Sequence, residues 1–339
     1  MNISSILNRL AERHNLTQAE AEYAFAALMD GEMSTAQAGA FLLTLRAKGE
    51  TPQEMNAAVQ AALQRAHLVA DVPGDYADIV GTGGDGKKSF NCSTATALTL
   101  AGLGYPILKH GNRAVSSSSG AGDVLEQLGY SLNLDADGLR DSLQKHSFGF
   151  AFAPHFHPCF KNIGPIRREL GVRTIFNLLG PMINPSRPPL LMMGVATPDL
   201  VPTIASVLAQ CGSYKRALVV CGAAGYDELT LFGQATACFV QGEQVRRIML
   251  SPVDWGFTAV PPTPENEADL CVKTREEAAA ALRALLSGHG SPAMAEMVAF
   301  NVAVALWLFH PELSKQECTE RARRALTEGV GIRVVNNWQ

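Results

Sequence analysis

From Ile3 to about residue 70, apolar residues recur three and four positions apart. Ile3, Ile6, Leu7 and Leu10 make one such stripe, and Ala38, Phe41, Leu42 and Leu45 make another that Gly49 ends. Thr17-x-x-Glu20 and Thr51-x-x-Glu54 have the spacing of capping boxes and predict the starts of a second and a fourth helix. Four short amphipathic helices with no strand pattern between them predict a helical subdomain whose remaining apolar faces need a partner. From about residue 76 the pattern alternates. Short apolar runs at 78–80, 106–108, 148–152, 190–194 and 217–221 read as strands, and the intervals 93–103, 121–128, 136–145 and 199–210 read as helices. This alternation predicts a mainly parallel sheet covered by helices on both faces. Residues 158–189 break the rhythm: 160–170 is helical in pattern, and 174–179 runs into the breakers Gly180-Pro181 and Asn184-Pro185. The chain is therefore expected to cross back to the helices there. A hairpin over 236–250 turning near Gly242, then helices at 274–286, 297–309 and 315–326, complete the pattern. The expected fold class is α/β, a small helical subdomain plus a larger α/β domain with a mainly parallel sheet. The expected boundaries are 1–72, completed by about 165–188, and 73–164 with 189–339.

The first strand empties into Gly81-Thr82-Gly83-Gly84-Asp85-Gly86-Lys87-Lys88-Ser89-Phe90-Asn91-Cys92-Ser93-Thr94. Glycine backbone can turn its N–H groups onto phosphate oxygens, and the helix start that follows adds unpaired donors and a partial positive charge. Gly81, Gly83 and Gly86 match GxGxxG, but the acid a dinucleotide fold wants about 20 residues on is replaced by Leu108-Lys109-His110. Gly81, Gly86 and Lys87 match GxxxxGK, yet Lys88 stands where a P-loop needs a hydroxyl for magnesium. What remains is phosphate binding of another kind. The second strand ends in a second polar stretch, Lys109-His110-Gly111-Asn112-Arg113 and the serine run 116–119. In an open α/β sheet both loops face one crevice beyond the strands' carboxyl ends.

GTGGDG followed by a hydroxyl residue, FN and S-T, with KHGNR further on, resembles the anthranilate phosphoribosyltransferases. Two later stretches extend the resemblance over most of the chain: residues 153–158 leading into Arg167-Arg168-Glu169-Leu170-Gly171 and Asn177-Leu178-Leu179-Gly180-Pro181, and Gly225-Tyr226-Asp227-Glu228. The resemblance implies transfer of 5-phosphoribose from phosphoribosyl diphosphate to the amine of anthranilate, with release of diphosphate and with Mg2+ as cofactor, in tryptophan biosynthesis. The phosphoribosyl diphosphate contacts it implies are Gly81, Gly83, Gly84, Asp85, Ser89, Asn91, Cys92, Ser93, Thr94, Lys109, His110, Gly111, Asn112, Arg113, Ser116, Ser117 and Ala121. For anthranilate it implies Gly81, His110, Asn112, His157, Arg167, Arg168 and Pro181, and for magnesium Ser93, Asp227 and Glu228. No general acid or base is assigned; stabilisation of the leaving group falls to Lys109 and magnesium. A homodimer through the helical subdomain is implied, and association with an anthranilate synthase amidotransferase subunit is left open.

The residues themselves bear on these roles. Asp227 and Glu228 follow a strand and a glycine-containing turn, a suitable place for carboxylates that hold magnesium. Arg167 and Arg168 point about 100° apart on a helix, so at most one or two arginines of the cluster with Arg173 reach a pocket, where a carboxylate offers a bidentate partner. His110, His155 and His157 lack a neighbouring carboxylate and read as aromatic or amide contacts rather than metal ligands. Lys87-Lys88 makes the first loop unusually basic, Gly120-Ala121-Gly122 lacks a hydroxyl that the family has, and Phe156 replaces a common tyrosine.

With 28 basic and 32 acidic side chains the net charge is −4, and no basic tail exists, so a nucleic-acid partner is not expected. Cysteines 92, 159, 211, 221, 238, 271 and 318 show no CxxC spacing, which argues against zinc and a disulfide framework and for reduced thiols in a cytoplasm. The apolar run 297–309, interrupted by Asn301, reads as a core helix rather than a membrane span. Two other readings are open: a pyrimidine nucleoside phosphorylase, whose lysine-histidine-serine-threonine glycine motif is absent, and a nucleic-acid-binding relative, which would have lost the loop or the acids and gained a basic face.

Overall fold

The computed structural model describes residues 1–114 and 119–338. The chain opens with α1 (Ile3–Ala11), α2 (Gln18–Asp30), α3 (Thr35–Lys48) and α4 (Pro52–Gln64). Thr17 and Thr51 cap α2 and α4 through full capping boxes, and Ser34 does the same for α3 with Gln37. One buried carboxylate joins α3, α4 and the turn before α2. Glu54 accepts from Leu16 N at 2.9 Å and Thr51 N at 2.8 Å, and pairs with Lys48 Nζ at 2.9 Å. Every charge in that knot has a partner, so its burial is tolerated.

Then follow β1 (Ala77–Gly81), α5 (Cys92–Gly102), β2 (Ile107–Gly111), α6 (Ala121–Gln127), α7 (Ala136–His146) and β3 (Phe148–Phe152). The chain next makes α8 (Ala153–Phe156), α9 (Phe160–Leu170) and α10 (Phe176–Leu179), and returns to the sheet as β4 (Leu190–Gly194). Helix α9 packs on α2 and α3, and α10 touches α4. Helix α11 (Leu200–Cys211), β5 (Arg216–Cys221) and the hairpin β6 (Ala235–Gln241) and β7 (Gln244–Leu250) come next. Helices α12 (Pro264–Ala268), α13 (Arg275–Leu286), α14 (Pro292–Phe309), α15 (Lys315–Thr327) and α16 (Val330–Asn336) close the chain.

The seven strands lie in the order β3-β2-β1-β4-β5-β6-β7, parallel through the first five and antiparallel in the final two pairings. The fold is thus a helical bundle with a larger domain built on a mostly parallel sheet, as the alternation predicts. Because the chain runs outward from β1 to β2 and β3 and then restarts at β4 on the other side of β1, the direction in which strands are added reverses between the parallel neighbours β1 and β4. A crevice opens there, beyond the strands' carboxyl ends.

One strand differs in extent from the sequence reading. β2 does not stop at 108 but continues through Lys109, His110 and Gly111, which pair in register with Phe150, Ala151 and Phe152. The apolar partner strand supplies a full ladder, and so carries two polar residues into the sheet that composition alone leaves in a loop. Helix α14 is long and apolar enough to cross a bilayer, but 72% of it is buried, against α5 and α15 among others.

Candidate active site

The first loop gains its shape from glycines in the left-handed region: Gly83, Gly84 and Gly86 have φ of 68°, 76° and 77°. Its end is α5, where Ser93 and Thr94 lie in the first turn and their N–H groups have no intrahelical acceptor. The side chain of Cys92 is fully buried, so this residue offers backbone rather than side-chain contacts. Asn91 Oδ1, Thr82 Oγ1 and Thr94 Oγ1 are buried without hydrogen-bond partners among the described residues, an arrangement that leaves acceptors for a ligand.

Across the crevice Asp227 and Glu228 approach through three glycines. A Cβ on Gly194 would lie 1.5 Å from the Asp227 carbonyl oxygen, one on Gly222 1.9 Å from that of Glu228, and one on Gly81 2.2 Å from Asp227 Oδ2. Only bare backbone at the ends of β1 and β4, and just after β5, lets the acid pair press this close. Asn301 of α14, the polar break in an apolar helix, fixes the next residue: its Nδ2 donates to Leu229 O at 2.8 Å and its Oδ1 accepts from Leu229 N at 3.2 Å. Asp227 Oδ2 accepts from Gly83 N at 2.6 Å, and Glu228 Oε2 from Ser89 Oγ at 3.4 Å.

Asp85 joins them. Carboxylate oxygens of Asp85, Asp227 and Glu228 lie within 4.8 Å of one another. Burial and mutual repulsion raise the carboxyls of Asp227 and Glu228 above the ordinary range. Three convergent hard oxygen donors in a site that penalises their charge fit a divalent cation such as magnesium. The nearest counter-charge is Lys109, buried in β2, whose Nζ donates to Ile79 O and lies 3.2 Å from Ser93 Oγ. Burial lowers its pKa, and the surrounding acids, Asp78 first, pull it back up. Asp78, buried in β1, accepts from His110 N at 3.2 Å and Asn184 Nδ2 at 2.9 Å, and burial pushes it up to about 6.

The other side of the crevice is aromatic. His110 Nδ1 meets Gly180 O at 2.9 Å beside buried Pro181. Its ring packs edge-on against His157 with centroids 5.1 Å apart; His157 stacks on Phe160 at 5.4 Å; Phe160 meets Phe176 at 5.7 Å; and the Arg167 guanidinium lies 5.7 Å over Phe176. Burial lowers His110 to about 3 and His157 to about 4, so both are neutral near pH 7. A carbonyl oxygen only accepts, so the neutral His110 carries its hydrogen on Nδ1, and its Nε2 is a buried lone pair without a partner among the described residues.

The remaining expected residues are spread more widely. Asn112 and Arg113 are exposed, and Arg113 is held in a fork by Glu126 at 2.6 and 2.9 Å. Ala121 opens α6, whose Asp123 closes the second loop by accepting from Ala114 N and Gly120 N. Ser116 and Ser117 lie outside the described residues. Arg168 is exposed, off the aromatic row, whereas Arg167 is half-buried on it. Three residues escape the sequence reading, Asp85 as a member of the carboxylate cluster, Asp78 and Asn301, and so does the partner of Arg173, which donates to Gly84 O. Asp78 and Asn301 carry a legible signal, a lone polar residue inside an apolar run. Arg173 carries none, since its partner is 89 residues away.

Family models describe the same two parts: a glycosyl transferase family helical bundle domain matches residues 4–66, and the family's a/b domain matches residues 73–332. The chain is 50% identical over 338 residues to the anthranilate phosphoribosyltransferase of Nitratidesulfovibrio vulgaris, covering 98% of each chain. It is 46% identical to that of Oleidesulfovibrio alaskensis, covering 99% of this chain and 100% of the relative. The crystal structure of the Thermus thermophilus anthranilate phosphoribosyltransferase superposes with a TM-score of 0.88 at 34% identity, over 98% of this chain and 97% of that one. The Saccharomyces cerevisiae enzyme in complex with PRPP and Mg does so at 0.88 and 26% identity, over 99% and 96%. Sharing half its residues with a relative matched from end to end, this chain belongs to the anthranilate phosphoribosyltransferase family.

Proposed function

We propose that the protein transfers 5-phosphoribose from phosphoribosyl diphosphate to the amino group of anthranilate, as a step of tryptophan biosynthesis in the cytoplasm. The observation that carries this reading is the pairing of unlike surfaces in one crevice. Three carboxylates, Lys109 and a glycine loop sit at the end of the sheet, beside a row of rings that ends in a half-buried arginine.

Loss of diphosphate from C1 develops negative charge on the leaving oxygens and positive charge on the sugar. The Gly83 N–H is taken by Asp227, so the N–H group of Gly84, the first turn of α5 and the ammonium of Lys109 are left for the first of these charges. Asp85, Asp227 and Glu228, with Ser93 beside them, would hold Mg2+, which supplies further neutralisation of the diphosphate when bound. The aromatic amine is neutral near pH 7 and needs orientation more than a base. Rings of His110, His157 and Phe160 would take the flat face of anthranilate, and the His110 Nε2 lone pair would accept one amine hydrogen. His110 is too weakly basic to remove that proton at neutral pH, and as neutral rings both histidines leave the developing sugar cation unopposed. Arg167 would fork onto the carboxylate.

We also read residues 1–72 with 165–188 as one unit and the remainder as a second, since α9 packs on α2 and α3 and the first strand begins at Ala77. The bundle's outer face is then the surface for a homodimer, and neither a nucleic-acid nor a membrane partner is required. The test is an assay of purified protein with anthranilate, phosphoribosyl diphosphate and magnesium, following loss of anthranilate fluorescence. Loss that requires all three supports the reading. No loss, with phosphorolysis of a pyrimidine nucleoside instead, overturns it.

A further inference from the structure

Lys87 has no part in the chemistry above, yet three parts of the molecule meet at its side chain. Its Nζ lies 3.1 Å from Glu267 Oε1 on α12 and 4.9 Å over the ring of Tyr226, the residue directly before Asp227 and Glu228. Its own N–H donates to Asp85 Oδ1 at 3.0 Å. Glu267 belongs to a stretch that runs alongside the loop. Leu270 O accepts from Phe90 N at 2.8 Å, Lys88 O accepts from Val272 N at 3.3 Å, and Cys271 forms an antiparallel bridge with Ser89. Cys271 Sγ lies 3.5 Å from Lys87 O.

A loop with glycines at 81, 83, 84 and 86 has little stiffness of its own, and a ligand that must order it loses affinity in doing so. We propose that Lys87 is a positioning residue: held between Glu267 and the Tyr226 ring, it clamps the phosphate loop, through residues 264–272, to the turn that carries the acid pair, and so orders the loop before substrate arrives. The inference rests on the function proposed above for that loop. It makes Glu267 a helper of phosphate binding although a negative charge near a diphosphate repels it. If Lys87 were instead a direct phosphate ligand, removing Glu267 would free it and tighten binding. The two readings therefore differ in sign.

The experiment compares Lys87→Met, Glu267→Gln, their double variant and Lys87→Arg in the full-length protein, by calorimetric titration with magnesium diphosphate and by the rate at which a thiol reagent labels Cys271 without ligand. Cys271 is exposed while the other six cysteines are buried or partly so, and labelling reports the loop's attachment whatever the enzyme's substrate. A partly exposed ion pair plus a cation–π contact leads us to expect binding weakened roughly five- to tenfold in each single variant. The double variant should be no weaker than the worse single, Lys87→Arg should recover most of the loss, and labelling should quicken wherever binding weakens. The KM for phosphoribosyl diphosphate should rise with that for anthranilate held within twofold. Tighter or unchanged binding in Glu267→Gln, or labelling at the parent's rate in both single variants, overturns the clamp. A parent protein that neither binds magnesium diphosphate nor consumes anthranilate overturns the proposed function, and the labelling rates then still decide the clamp.

Discussion

At the ends of β1 and β5 the crevice presents carboxylates, backbone N–H groups and one buried ammonium; on the His110 side it presents rings. The polar side is made mostly of one contiguous loop plus one acid pair, and its parts sit together because glycine at 194 and 222 lets backbone touch backbone and glycine at 81 makes room for the Asp227 carboxylate. The aromatic side is assembled from β2, the α8–α9 turn, α9 and α10, elements that no short motif joins. A site for charge thus depends on a few close approaches, whereas a site for a flat ring depends on how a returning segment packs. The two sides should fail differently when altered.

The largest effect is expected on the polar side. Changing Asp227 and Glu228 together to asparagine and glutamine keeps their shape and removes two of three convergent charges. Turnover should fall by more than about a thousandfold, with the unfolding transition unchanged or raised, because burial and repulsion that disfavoured these charges are relieved. The checks are steady-state kinetics across magnesium concentrations and thermal unfolding. Activity within tenfold of the parent would mean that the cluster does not hold the metal.

On the aromatic side the principal loss is expected from Arg167→Ala. Hydrogen bonds to charged groups contribute about 1.5–3 kcal/mol, so the KM for anthranilate should rise roughly ten- to a hundredfold while that for phosphoribosyl diphosphate holds. Arg167→Lys should recover only part, because a point charge cannot reproduce the fork. A rise confined to the phosphoribosyl diphosphate KM would move this arginine to the polar side.

How far each side is legible follows from how it is built. The glycine loop, the acid pair and the alternating sheet are local in sequence, and their boundaries hold to within a few residues. What the chain conceals is long-range: β2 gains Lys109, His110 and Gly111 only because β3 pairs with them, and Asn301 finds Leu229 72 residues away. Phe160 and Phe176 look like ordinary apolar helix residues until the crossing segment brings them into one row with His157. Asp85 lies inside the motif, but its place beside Asp227 is a fact of folding.

The histidines distinguish the two sides by pH. His110 and His157 are held at about 3 and 4, below the ordinary 6.5, chiefly by burial. Depressed histidines contribute stability that is full above pH 6.5 and is lost as pH falls through 4 and then 3. At about 1.4 kcal/mol per pH unit for each, the two together remove about 4 kcal/mol between pH 6.5 and 5. Three carboxyls act in the opposite sense: Asp78 and Asp227, each raised to about 6 from 3.8, and Glu228, also raised by burial, contribute stability that is present at low pH and lost as pH rises through their folded values. The net slope is set by these opposed groups, so the informative quantity is a difference: in denaturant unfolding at pH 7, 6 and 5, His157→Phe should gain about 2 kcal/mol on the parent between pH 7 and 5. A pH dependence in the variant that parallels the parent's would mean that His157 is not held neutral by its site.

The smallest effect sharpens the geometry of the aromatic side. Arg168 is adjacent to Arg167 in sequence but about 100° around α9, exposed, and close to the backbone of Gly164 on its own helix, where a methyl would lie 3.5 Å from its Nη1. It makes none of the ring contacts that seat Arg167. As a solvated charge off the row of rings it should add only a screened attraction to a substrate carboxylate. Arg168→Ala should raise the anthranilate KM less than twofold at 0.15 M salt, with a somewhat larger change at 0.01 M, where screening is weaker. Kinetics at both ionic strengths separate the cases. A salt-independent rise as large as that of Arg167→Ala would place the substrate carboxylate on the outer face of α9, and the row of rings would then be packing rather than a pocket.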